Sequence, residues 1–276
     1  MPRSRSASSS SGGGPWALIT GGSTGIGREL ARFAAADGWN LALVARSRER
    51  LAEAAAGLAA DHGVEAVAIP MDLTVPGAAE QLLARVDERG IEVEFLVNNA
   101  GFGRSRPFHE VPLSTQRKML ALNIGALADL CRLLLPRMLQ RGRGRVLNVG
   151  SGAGYVPGLG FTAYAATKAF VLHLSEGLAA EYAGSGVTVS VLCPGPVDTP
   201  FFGAAGMPRP GGIRGLALAN PRAVARAGYR GALAGRVVIN PGLLSRLVPV
   251  FTRLSPRAVV RWAGRLTGAQ LRGPKR

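Results

Sequence analysis

The stretch that decides the fold reads Ala17-Leu18-Ile19-Thr20-Gly21-Gly22-Ser23-Thr24-Gly25-Ile26-Gly27 and leads into residues 28–36. The short apolar run predicts a buried strand, and Leu30, Phe33 and Ala34 mark one face of a helix. Between them the glycines let the backbone turn sharply and come close to a ligand. The free N–H groups and dipole of a helix start favour negative charge, so strand, glycine-rich turn and helix together predict a cradle for a dinucleotide pyrophosphate. The spacing is Gly-x-x-x-Gly-x-Gly, not the commoner Gly-x-Gly-x-x-Gly.

Working outward, apolar runs at 17–20, 41–45, 66–70, 95–97, 146–149, 187–192 and 237–239 alternate with helical stretches. Parallel neighbours need crossover helices, so this alternation predicts an α/β fold: a Rossmann-like, doubly wound parallel sheet of about seven strands in a single domain. A length of 276 residues, 47% of them apolar, suffices for one such core and excludes a wholly disordered chain. Three parts are expected: a disordered Ser/Gly/Arg tail at 1–14, a dinucleotide-binding catalytic domain at 15–240, and basic amphipathic helices at 241–276. Residues 200–219, rich in Gly, Pro and apolar side chains, read as a mobile segment placed to cover a substrate.

The net charge of +16 suggests a nucleic-acid binder until it is mapped. All seventeen Asp and Glu lie between Trp16 and Pro200, where Lys and Arg balance them; the excess is Arg3, Arg5 and fourteen basic residues after Pro200. No aromatic or motif signal accompanies those arginines, so no nucleic-acid partner is expected. Cys131 and Cys193 are far apart and read as small buried hydrophobes in a reducing cytoplasm. No unbroken apolar stretch reaches the roughly 18 residues of a membrane span, and the first fifteen residues lack the apolar run of a secretory signal, so export is not expected. His62, His109 and His173 lack partners at ligand spacing; no metal site is expected, and only His109 falls near a pocket mouth.

Five further motifs follow in order: Asn98-Asn99-Ala100-Gly101, Asn123, Ser151, Tyr164-Ala165-Ala166-Thr167-Lys168, and Pro194-Gly195-Pro196-Val197-Asp198-Thr199. With the glycine turn, they make the sequence from Trp16 to Thr199 resemble the short-chain dehydrogenases/reductases. The resemblance implies an oxidoreductase moving a hydride between a nicotinamide cofactor and a carbonyl or secondary alcohol. It implies cofactor contacts from Gly21, Ser23, Thr24, Gly25, Ile26 and Gly27, with Asp72 at the adenine and Asn98, Ala100 and Gly101 supporting the sheet and adenosine ribose. Pro194, Gly195, Val197 and Thr199 follow at the nicotinamide, Thr199 at its amide. By the same resemblance Ser151 hydrogen-bonds the substrate oxygen, Lys168 holds the nicotinamide ribose, and Asn123 positions a water linking that lysine to solvent. The resemblance also implies a pocket lined by residues 154–161 with Phe102, Phe201, Phe202 and Met207, whose apolar nature points to a lipophilic substrate, and it implies a dimer or tetramer.

Tyr164 and Lys168 stand four apart in a predicted helix over 162–180, so both project from one face. A free phenol has a pKa of about 10, and a neighbouring ammonium together with an oxidised nicotinamide favours its phenolate. Cofactor choice turns on the end of the second strand, where an acid binds the ribose 2′-hydroxyl of NAD. Arg46 stands there instead and suits the 2′-phosphate of NADP, making NAD the lesser candidate; the alternative is that Arg46 and Arg48 are solvated charges opening a helix. The alternative function is a nucleotide-sensing protein of the same fold without turnover, against which Asn123, Ser151, Tyr164 and Lys168 count. In the C-terminal part, Leu243, Leu244, Leu247, Val248, Val250, Phe251 and Leu254, then Val259, Val260, Trp262 and Leu266, interleave with Arg246, Arg253, Arg257, Arg261 and Arg265. Such helices either lie on an anionic membrane or pack on the domain or a second subunit with the arginines solvated.

Overall fold

A computed structural model of the chain describes residues 14–158, 160–206 and 218–269. Its strands are β1 (Trp16–Thr20), β2 (Asn40–Ala45), β3 (Ala66–Pro70), β4 (Val93–Asn98), β5 (Gly144–Val149), β6 (Val187–Leu192) and β7 (Val238–Ile239). The helices are α1 (Gly25–Ala36), α2 (Arg48–His62), α3 (Ala78–Asp87), α4 (Leu113–Leu120), α5 (Leu127–Gln140), α6 (Thr162–Glu181), α7 (Phe201–Ala204), α8 (Pro221–Leu233), α9 (Leu243–Leu254) and α10 (Arg257–Ala269). Each of the seven apolar runs is a strand. The last is shortened, because β7 is an edge strand that pairs only through Val191 and Leu192 of β6. Of the tail expected at 1–14, only Gly14 is described, and it accepts a hydrogen bond from Asn40; Met207 and the side chains of Leu243, Leu244 and Leu266 also lie outside the described residues.

The strands form one sheet in the order β3-β2-β1-β4-β5-β6-β7, all pairs parallel. Side chains alternate across it, and because helices cover both faces, both sets are apolar. Ala17, Ile19, Leu41, Leu43, Phe95 and Val97 pack under α1, α2 and α8; Leu18, Ala42, Val44, Leu96 and Val146 pack under α3, α5 and α6. Close approach of α8 requires small residues: a Cβ at Gly228 would stand 2.7 Å from Leu192 Cδ2, and one at Gly231 2.6 Å from Ile239 Cδ1. Strand order reverses between β1 and β4, so a crevice opens there at the carboxyl ends of the strands, where ligands of such sheets bind.

Between α4 and α5 the helix does not break but widens into a π-turn, Ala121–Ala126. The combined helix, Leu113–Gln140, is long and apolar enough to cross a membrane. Its Leu127, Leu130, Leu134, Leu135 and Met138 are buried against the sheet, which identifies the apolar face as core.

Candidate active site

The glycine turn sits at the switch point, held open by its neighbours. Gly21 and Gly25 adopt φ of +67° and +57°, left-handed values that strain any residue with a side chain. A Cβ on Gly25 would stand 3.3 Å from Thr199 Cγ2, so the first turn and the loop after β6 are the two walls of one narrow crevice. The side chain of Thr24 makes no capping hydrogen bond, and the first turn of α1 carries no acid. A helix start without such partners is an anion site, and the residues of this turn fit a dinucleotide pyrophosphate.

Asn99 holds the turn in place. Its Nδ2 donates to the carbonyls of Thr20 (3.0 Å) and Gly21 (3.1 Å), while the Thr20 hydroxyl accepts from the N–H groups of Asn99 and Ala100, both at 3.0 Å. The side chain of Asn98 faces the other side of the strand. Its Nδ2 donates to Asn148 Oδ1 at 3.0 Å, and Asn148 donates to Ser175 Oγ at 3.0 Å, a buried polar link from β4 through β5 to α6. Asn99 was absent from the expected site residues, although alternation along β4 places it opposite Asn98 and toward the glycines.

At the ends of β2 and β3, Arg46 and Asp72 are both exposed. Burial raises the Asp72 carboxyl, but hydrogen bonds from Thr74, with Arg46 and Lys118 nearby, outweigh it and hold the group below its usual value. Arg46 thus lies on the same rim as Asp72, beyond the glycine turn.

The other motifs converge on the opposite wall. Asn123 lies in the π-turn, a feature that recurs at functional sites because it re-aims side chains that a regular helix would stack. Its Oδ1 accepts from Phe102 N at 3.1 Å, and its Nδ2 donates to Phe102 O at 2.9 Å and Thr167 Oγ1 at 3.1 Å. Lys168, one turn beyond Tyr164 on α6, is buried and donates to Val149 O at 2.7 Å. Asn123 and Lys168 meet at Gly101, where a Cβ would come within 3.1 Å of Asn123 Oδ1 and 3.6 Å of Lys168 Nζ. Burial pushes Lys168 down to about 8, with Cys193 opposing the shift. Burial likewise pushes the Tyr164 phenol up to about 12, opposed by its hydrogen bond with Ser151. The Lys168 ammonium lies 5.8 Å from the centre of the Tyr164 ring. The hydroxyl is next to Ser151.

Aromatic rings pack on that of Tyr164. The Tyr164 ring centre lies 4.6 Å from that of Phe161 and 5.4 Å from that of Phe201, and Phe102, Met119, Ala153 and Ala205 complete an apolar cluster. Phe102, Phe161 and Phe201 were expected here; Met119, Ala205 and Gly103 were not. A Cβ on Gly103 would reach within 3.0 Å of both Phe161 and Tyr164. The segment expected to be mobile at 200–219 begins as α7 and is tied down at both described ends. Arg104 donates to the Ala204 carbonyl, Ser105 N to Ala205 O at 2.9 Å, and Asp198 N to Ala219 O at 3.0 Å. Residues 207–217 of that segment lie outside the described residues. Cys131 and Cys193 are buried, with thiols pushed up to about 12 and about 11, and His109 and His173 are exposed.

A parallel sheet with this switch-point crevice defines a doubly wound α/β protein of the dinucleotide-cleft class. The chain belongs to the short-chain dehydrogenase family, whose model, described as short chain dehydrogenase, matches residues 15–208. It is 39% identical over 187 residues to a very-long-chain 3-oxoacyl-CoA reductase of Anas platyrhynchos, covering 66% of this chain and 59% of that protein. The chain therefore spans about three-fifths of the length of that curated relative. Among solved structures it is similar to a short-chain dehydrogenase from Sphingobium yanoikuyae in complex with NADPH, with a TM-score of 0.77 at 31% identity over 95% of this chain and 98% of that one. It is also similar to the bulky-bulky ketone specific alcohol dehydrogenase from Comamonas testosteroni, with a TM-score of 0.73 at 30% identity over 88% and 96%.

Proposed function

We propose that the chain is an NADP-dependent oxidoreductase acting on a lipophilic carbonyl or the corresponding secondary alcohol. The observation that carries this reading is the buried Tyr164, its hydroxyl hydrogen-bonded with Ser151, one helical turn from a buried Lys168 and packed against Phe161 and Phe201. NADPH, when bound, supplies the hydride. The residues from Gly21 to Gly27 hold its pyrophosphate, Arg46 its 2′-phosphate, Asp72 its adenine, and Ala100 and Gly101 its adenosine side, with Asn98 supporting the sheet beneath them. Lys168 binds the nicotinamide ribose, and Pro194, Gly195, Val197 and Thr199 flank the nicotinamide.

In the reductive direction Ser151 fixes the substrate oxygen by a hydrogen bond, and Tyr164 delivers its proton to that oxygen. Lys168 and Asn123 make the path by which that proton is replaced from solvent. The aromatic lining excludes water and selects an apolar substrate. The similarity to a ketone-specific dehydrogenase supports that class. We further propose that residues 15–240 form the catalytic unit, that the chain assembles as a dimer or tetramer, and that it works in the cytoplasm with the helices of 241–276 in contact with a membrane surface.

The test is NADPH oxidation with a panel of bulky ketones and aldehydes. The wild-type protein turns over, while Tyr164→Phe loses turnover by several orders of magnitude and keeps its NADPH affinity. Turnover retained in that variant assigns the proton to another acid, and no turnover with any carbonyl leaves the nucleotide-sensing alternative.

A further inference from the structure

α9 and α10 each have a packed side and an uncovered apolar side. Leu247, Val250, Phe251 and Leu254 fall at helical spacing on α9 and are 54, 53, 43 and 79% exposed. Val259 and Trp262 extend the apolar surface along α10, at 40 and 60%. The other side joins the arm to the crevice. The Ser245 hydroxyl accepts from Gly195 N at 3.2 Å, Val260 is buried, and Gly264 lies so close to Pro157 that a Cβ would strike its carbonyl. The sequence left packing and exposure as alternatives; in the structure each helix does both, on opposite sides. Single exposed apolar residues need no explanation, but six large ones on two consecutive helices mark an interaction surface.

Charge selects the occupant. Arg246, Arg253, Arg257, Arg261 and Arg265 are exposed around the stripe, and no Asp or Glu follows Asp198 in the sequence. A second copy docked face to face would set arginine against arginine with no acid on either arm. An anionic bilayer accepts both halves of the pattern, acyl chains taking the stripe and headgroups the guanidinium groups. We propose that the outer face of α9 and α10 docks on an anionic phospholipid surface and thereby seats the substrate entrance at the lipid. α9 packs on the turn Gly152–Tyr155, which follows Ser151, and α10 packs on Pro157, so the arm borders the loop that leads to the proposed substrate oxygen. The seating rests on the reading of the chain as a reductase of lipophilic carbonyls; the docking face does not.

The experiment is co-sedimentation of the full chain with phosphatidylcholine vesicles and with vesicles containing phosphatidylglycerol, at low and high salt. Wild-type protein pellets with the anionic vesicles at low salt only. Phe251→Asp/Leu254→Asp and Arg253→Glu/Arg257→Glu/Arg261→Glu, all at exposed positions and checked for folding by circular dichroism, each weaken binding by about tenfold or more. Background pelleting of the wild type, or undiminished pelleting of both variants, overturns the docking face. A dimer that both variants abolish, with no vesicle binding, reassigns the face to a second copy. For the seating, anionic vesicles lower KM for a long-chain ketone several-fold in the wild type but not in the apolar-stripe variant, and leave KM for a short water-soluble ketone unchanged. Equal effects on the two ketones overturn it. Absence of all turnover removes the seating together with the reductase reading, and the pelleting result still decides the face.

Discussion

Arg46 stands exposed on the rim that it shares with Asp72, and its guanidinium offers a 2′-phosphate what a carboxylate offers a 2′-hydroxyl. Replacing it by aspartate exchanges a charge-assisted contact for a repulsive one. The loss in NADPH affinity should be about 3 kcal/mol, roughly a hundredfold, with a much smaller change for NADH. Titration of both cofactors against Arg46→Asp measures this, and equal losses would sink the assignment. The two buried ionisable groups make a second prediction. Lys168, lowered by burial to about 8, is charged below that pH and neutral above it, whereas Tyr164 at about 12 keeps its proton throughout the working range. Reductive turnover should therefore fall as pH rises through about 8, following the lysine. A rate that stays level to pH 10 would show that the lysine charge does not matter to the reaction.

The elements that build the crevice are set by contacts too close for ordinary side chains. A Cβ at Gly27 meets both the Gly21 carbonyl and Asn99 Nδ2, and the first of these is backbone held in place by Asn99. Gly27→Ala should cost about 1–3 kcal/mol of stability by overpacking, seen as a lower thermal midpoint, and should weaken NADPH binding as well. An unchanged midpoint would mean that the turn is looser than these contacts require. Strands and helix α6 were legible in the sequence, because continuous apolar runs and helical periodicity report burial directly. The division of labour between Asn98 and Asn99 was half legible: alternation gives opposite sides, but which side faces the glycines depends on the β1 neighbour. The π-turn around Asn123 was not legible, since helical periodicity does not tell a π-turn from the α-helix on either side of it. Gly103 and Met119 were missed for the same reason, being brought to Tyr164 only by tertiary structure. Nor could spacing alone show how deeply Tyr164 and Lys168 are buried.

For the molecule as a whole, the parallel strands gather the motifs at their carboxyl ends, so the fold class and the general position of the crevice followed from the alternation of elements. The destination of the C-terminal helices did not, because amphipathic spacing reports an apolar face without saying what meets it. The crevice itself is assembled across long stretches of chain: Thr20 receives Asn99 from 79 residues away, and Gly25 abuts Thr199. Helices form from local contacts in microseconds, whereas pairings of such sequence separation carry loop-closure entropy and come slowly. In refolding from denaturant, the far-UV helical signal should thus recover ahead of NADPH turnover, with a measurable interval in which the chain is helical and inert. Simultaneous recovery would mean that the walls of the crevice meet early. With the predicted interval, catalytic competence is a late event in the life of each chain, and a partly folded molecule cannot consume cofactor.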